Sequence, residues 1–125
     1  MAAIRWRDTK PELRVRSQLH KAGLRFRLHR RDLPGKPDIV LPRWGAVIFV
    51  HGCFWHRHRG CPKATLPETN RKLWSRKFQE NVSRDRRNRT ALKRLGWKVY
   101  TVWECRTDQR RIAAVISEIT GNILR

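Results

Sequence analysis

The sequence predicts a single α/β domain, a mixed β-sheet flanked by helices. Three observations predict it. Helix-like and strand-like hydrophobic periods follow one another in the order α-β-β-β-α-β-α. Residues 46–50 and 97–104 read as strands buried in the sheet, the first of them continuously apolar and largely β-branched. The chain has 125 residues, enough for one core, and shows neither an internal repeat nor a linker that would divide it.

The elements follow in order. Thr9-Lys10-Pro11-Glu12 has the pattern of a capping box with proline in the first turn, so Glu12 reads as part of the cap. Val15, Leu19 and Ala22 continue at helical spacing until Gly23 stops the helix. Residues 24–29 alternate apolar and basic, as a half-buried strand does. Leu33-Pro34-Gly35-Lys36-Pro37 is a turn, and 38–41 is a strand that ends at Pro42. A second turn at 43–45 leads into the strand 46–50, so the two strands form a hairpin. A helix is expected from about residue 69 to 95, ended by Gly96, with Trp74, Phe78 and Val82 on one face. After the strand 97–104, a last helix from about Asp108 repeats Ile112, Val115, Ile116 and Ile119 toward the core.

Lys and Arg number 30 against 10 Asp and Glu, a formal charge of +20 distributed along the whole chain. Such a protein repels itself and is expected to seek a polyanion, nucleic acid above all. A membrane surface is the weaker rival, since no segment has the long apolar face of an interfacial helix. Residues 1–10 lack the apolar core of a secretion signal, and the longest apolar run, 46–50, is far too short to cross a bilayer. The expected location is the cytoplasm. Three cysteines in such a chain argue for metal ligation or reduced thiols rather than disulfides.

The segment "VHGCFWHRHRGC", residues 50–61, concentrates histidines, cysteines and two adjacent large rings. Cys53, Cys61 and Cys105 with one histidine would form a Cys3His zinc site, and Cys105 lies just past a strand, where it can meet this loop. Spacing leaves the fourth ligand open between His56 and His58. Four protein ligands leave no position for substrate, so such an ion would pin the loop and any catalysis needs a second centre. Phe54 and Trp55 cannot both enter a core from one regular strand, which points to an exposed ring. Asp38 opens one strand of the hairpin and His51 closes the other, so the two converge at one end of the sheet. A carboxylate there suits a hard cation such as Mg²⁺, and a histidine titrates in the range of a base for phosphodiester hydrolysis.

The blocks "DTKPELRVR", "LPGKPDIVLP", "VIFVHGCFWHRHRGC", "ATLPETNRKLW", "QENVSRDRRN" and "LGWKVYTVWEC" together resemble the very-short-patch-repair (Vsr) mismatch endonucleases of bacteria. The resemblance spans nearly everything except the C-terminal helix. It implies a restriction-endonuclease-like fold. It also implies an activity that nicks duplex DNA on the 5′ side of the thymine in a T·G mismatch, the lesion left by deamination of 5-methylcytosine.

Residue by residue, the resemblance makes Asp38 the Mg²⁺-binding aspartate, with the Val50 carbonyl as a further ligand. It makes His56 the general base, His51 a support for metal-bound water or phosphate, and Glu12 a carboxylate assisting the base. Cys53, His58, Cys61 and Cys105 become structural zinc ligands, and Phe54, Trp55 and Trp74 the rings wedged into the base stack. For Trp74, a plain core anchor of the long helix is the competing reading. Restriction-type nucleases usually carry an acid and a lysine where this chain has Phe49-Val50-His51, a substitution characteristic of the Vsr branch. Fewer residues precede Thr9 than in most family members, which implies a reduced N-terminal arm. Repair-system proteins are the implied partners and a monomer the expected state, because a mismatch lacks two-fold symmetry. A zinc-stabilised DNA-binding module without catalysis, or an RNA-binding protein, would also explain the charge, but the first has no need of Asp38 beside histidines and the second none of a wedge-like ring pair.

Overall fold

Thr9 caps the first helix: its Oγ1 accepts from the Glu12 amide at 3.3 Å, which satisfies one of the donors a helix start leaves unpaired. The computed structural model of the chain describes residues 9–54 and 56–121. Helix α1 (Lys10–Lys21) buries Val15 and Leu19, and the sheet follows as β1 (Arg27–Leu28), β2 (Ile39–Leu41) and β3 (Ala46–His51). Helix α2 (Arg71–Arg94) crosses over to β4 (Lys98–Trp103), and α3 (Gln109–Thr120) closes the order, capped by Asp108.

The strands lie in the spatial order β1-β2-β3-β4, the first two pairings antiparallel and the last parallel. A tight hairpin makes β2 and β3 antiparallel, whereas the α2 crossover permits the parallel pair. The period-two alternation of side chains divides the core in two. Ile39, Leu41, Ala46, Ile48 and Val102 pack with Val15 and Leu19 of α1 and with Ile112, Val115 and Ile119 of α3. Val40, Val47 and Phe49 pack on the other face with Leu92 of α2. The sheet is thus covered on both sides, as its apolar strands require.

Three expectations are corrected. The half-buried strand at 24–29 shrinks to Arg27–Leu28, both exposed, because β1 is an edge pairing only with the short β2, while Leu24 and Phe26 still reach the core. The strand expected to be buried at 97–104 is Lys98–Trp103 at the other edge of the sheet, and of its residues only Val102 is fully buried. Glu12 is no cap, since its side chain turns inward and is buried at 1% exposure. Among the described residues no helix is long and apolar enough to cross a membrane.

Candidate active site

The hairpin register sets the first pair of site residues. Asp38 immediately precedes β2, and its Oδ2 accepts from the Val50 amide of β3 at 2.7 Å. This bond draws the carboxylate against the strand that ends in His51. Burial raises the Asp38 carboxyl to about 6, although the Val50 amide and the charges of His29, His56 and Arg16 pull the other way. A carboxylate kept in such a place without a full counter-charge is a natural seat for a cation.

His51 is buried, and its ring stacks on His56 with centroids 3.8 Å apart and planes at 4°. Burial, then repulsion from His56, lowers His51 to about 3, so its imidazole is neutral at pH 7. His56 Nδ1 is bonded to Asp85 Oδ2 at 2.6 Å. Burial works to raise the Asp85 carboxyl, but the hydrogen bond from His56 and the cationic surroundings, Arg84 among them, outweigh it and hold it below the usual range. An ionised Asp85 places the proton on Nδ1 and leaves Nε2 of His56 as an acceptor. Asp38, Val50, His51, His56 and Asp85 open on one cleft of about 920 Å³, bordered by the cations Arg31, Lys36 and Arg84.

Glu12 belongs to a different contact from the one expected. Its Oε2 bonds Arg16 and lies 2.9 Å from His29 Nε2, whereas the carboxylate bonded to His56 is Asp85. Glu12, His29 and Asp38 bring their ligand atoms within 4.8 Å of one another. Asp85 and His29 were missed by sequence reasoning. The usable signal for Asp85 was its isolation, since it and Glu80 are the only acids in a helix of ten Lys and Arg. His29 carried no signal beyond its residue type.

The cysteine sulfurs meet because β3 and β4 are parallel and end in register at His51 and Trp103. The chain then leaves β3 through Cys53 and β4 through a short 3-10 turn, Glu104–Arg106, where Glu104 Oε1 accepts from the Cys53 amide at 2.9 Å. Cys53, His58, Cys61 and Cys105 converge. His58 Nδ1 stands 3.6 Å from Cys53 Sγ and 3.3 Å from Cys105 Sγ, close to the edge of about 3.6 Å that tetrahedral zinc–sulfur and zinc–nitrogen bonds subtend. Burial pushes the Cys53 thiol up to about 12, so a bound cation is what would keep it a thiolate. His58 also lies flat on Trp103, with centroids 4.2 Å apart.

Phe54 meets Phe78 edge-on at 5.2 Å and Trp74 at 6.2 Å, and Trp74 stacks on Phe78. Phe54 and Trp74 are half-buried and Phe78 is buried, so the loop ring and the helix ring share one backing. Trp55 lies outside the described residues.

The family model of the DNA mismatch endonuclease Vsr matches residues 1–63. The type II nicking enzyme V.XorIIP of Xanthomonas oryzae pv. oryzae is 52% identical over 105 residues, 84% of this chain and 76% of that one. The DNA mismatch endonuclease Vsr of Escherichia coli is 48% identical over 105 residues, 84% of this chain and 67% of that one. The chain belongs to the Vsr family. The type II nicking enzyme V.NmeAIP of Neisseria meningitidis is 42% identical over 112 residues, 90% of this chain and 79% of its own. As a Vsr-family member the chain is a nicking endonuclease.

Proposed function

We propose that this Vsr-family chain nicks one strand of duplex DNA 5′ of the thymine in T·G mismatches left by deamination of 5-methylcytosine, with Mg²⁺ as cofactor. The observation that carries the reading is the His56–Asp85 pair, at 2.6 Å, facing the same cleft as Asp38. Hydrolysis of a phosphodiester needs a group that takes a proton from water and charge that offsets the added negative charge on phosphorus. His56, oriented by Asp85, takes that proton at Nε2. His51, neutral and stacked behind it, fixes the plane of the ring and offers a hydrogen bond to a phosphate oxygen. Arg31, Lys36 and Arg84 hold the backbone of the strand being cut. Asp38, with the Val50 carbonyl and the nearby Glu12, would hold Mg²⁺, which supplies the remaining charge stabilisation at phosphorus.

The Cys53, His58, Cys61 and Cys105 set suits a closed structural zinc, whose role is to stiffen the loop rather than to react. A stiff loop can press Phe54, with Trp74 beside it, into the base stack, and we assign the same role to Trp55, at a cost of a few kcal/mol per unstacked step. A T·G wobble pair deforms more readily than a Watson–Crick pair, and part of the discrimination then comes from that softness. We read residues 1–125 as one domain acting as a monomer in the cytoplasm, on the nucleoid through its DNA contacts, alongside repair-system proteins.

The test is a pair of variants. Asp38→Ala and His56→Ala are each expected to abolish nicking of a mismatched duplex while leaving its binding largely intact. Retained cutting by either would remove the role assigned to that residue.

A further inference from the structure

His29 has no part in the chemistry above, yet its backbone is held in an unfavourable conformation. It sits at φ 49°, in the left-handed region that side-chain-bearing residues seldom adopt and that recurs where a group is held for a purpose. Two contacts fix it. Its amide donates to the Asp38 carbonyl at 3.0 Å, and its ring Nε2 stands 2.9 Å from Glu12 Oε2. Backbone and ring together set an imidazole beside two carboxylates, with all three ligand atoms within 4.8 Å.

We propose that His29 is a direct ligand of the divalent ion held by Glu12 and Asp38, which makes this a mixed nitrogen–oxygen centre that favours Mn²⁺ over Mg²⁺. The assignment rests on the reading of Asp38 as the carboxylate of the ion site. Adjacent ligands of an octahedral ion with bonds of roughly 2.0–2.1 Å stand about 2.9 Å apart, which is the spacing of His29 Nε2 and Glu12 Oε2. Carboxylate and water alone suit magnesium, whereas an imidazole raises affinity for first-row transition dications far more than for magnesium. If His29 only paired with Glu12 and stayed outside the coordination sphere, the ion would feel no nitrogen.

The full zinc-containing chain, loaded with Mn²⁺ and without DNA, separates the two cases. Electron spin-echo modulation detects the nitrogen of an imidazole bonded directly to Mn²⁺. The wild type is expected to show it, and His29→Asn to lose it, asparagine being chosen because it tolerates the left-handed backbone. The Mn²⁺-over-Mg²⁺ preference, measured by calorimetric titration, is expected to fall about 10-fold in that variant. His29→Gln is a second variant with the same expectations. Nitrogen modulation that is absent from the wild type, or unchanged in both variants, overturns the assignment, and this guards against a signal arising from His51 or His56. Mn²⁺ binding that survives Asp38→Ala overturns both the assignment and the reading beneath it, whereas the His29 variants test the assignment alone.

Discussion

At His56 the catalytic reading turns on one hydrogen bond. Asp85→Asn keeps the shape but removes the charge that places the proton on Nδ1, so nicking is expected to slow by about 10²–10⁴-fold with duplex binding retained. A single-turnover assay checks this, and an unchanged rate would make Asp85 merely structural. His51 gives a prediction about stability. Its folded-state value is lowered from 6.5 to about 3, so the unfolded chain binds the extra proton as pH falls through 6.5, and stability present above 6.5 is lost toward 3. Asp38 runs the opposite way: raised from 3.8 to about 6, it adds stability that is full below 3.8 and lost as pH rises through 6. His51→Asn removes only the first effect. Between about pH 7 and 5.5 the variant is expected to gain about 1 kcal/mol relative to the wild type, read from urea midpoints, and parallel pH curves would show that His51 is not held neutral by burial. The convergence of Asp38 and His51 at one end of the sheet was legible in the sequence because turn residues and strand ends locate them along the chain, whereas His56 was singled out as a base only by the family resemblance. Asp85 and His29 were not, because their partners are far off in sequence, and periodicity tells which face of an element is apolar without telling which polar group it meets.

At the scale of elements, the turn at 33–37 is held against α2. Gly35 has φ +75°, and an added Cβ would come 2.9 Å from Asn88 Cβ. Gly35→Ala is therefore expected to cost about 1–3 kcal/mol, measured as a lower urea midpoint at constant slope, and a loss near zero would show that the turn can move off the helix. If Cys53, His58, Cys61 and Cys105 hold the proposed zinc, the loop at 52–61 depends on them in the same way. Cys105→Ala is expected to lower Tm by about 5 °C or more and to release zinc, since binding energy at such a site is folding energy. An unchanged melting curve would mean that the loop holds itself. The helices and the β2–β3 hairpin were legible, since Thr9, Asp108, Gly96 and the turn at Gly45 mark their ends. The edge strands were misjudged: Arg27–Leu28 is short because nothing pairs on its outer side, and the apolar residues of 97–104 read as a buried strand although β4 has a strand neighbour only on its β3 side. Which strand is an edge is decided by tertiary pairing, and composition does not record it.

For the whole molecule, a charge of +20 dictates salt-sensitive binding. Log affinity for duplex DNA is expected to fall against log salt with a slope of about −0.9 for each phosphate neutralised, and a flat response would detach the basic cleft from DNA. Charge accounts for holding DNA and leaves open why a mismatch is cut. On the proposed reading, that step belongs to the joint placement of a carboxylate able to hold an ion, an oriented imidazole and a ring-bearing loop at one end of the sheet. The most direct test is incubation of end-labelled T·G and T·A duplexes of otherwise identical sequence with protein purified in the presence of zinc, with Mg²⁺ added or omitted. One nick 5′ of the mismatched thymine, in the T·G duplex and only with Mg²⁺, is the predicted result; an intact T·G duplex, or equal cutting of T·A, would contradict it.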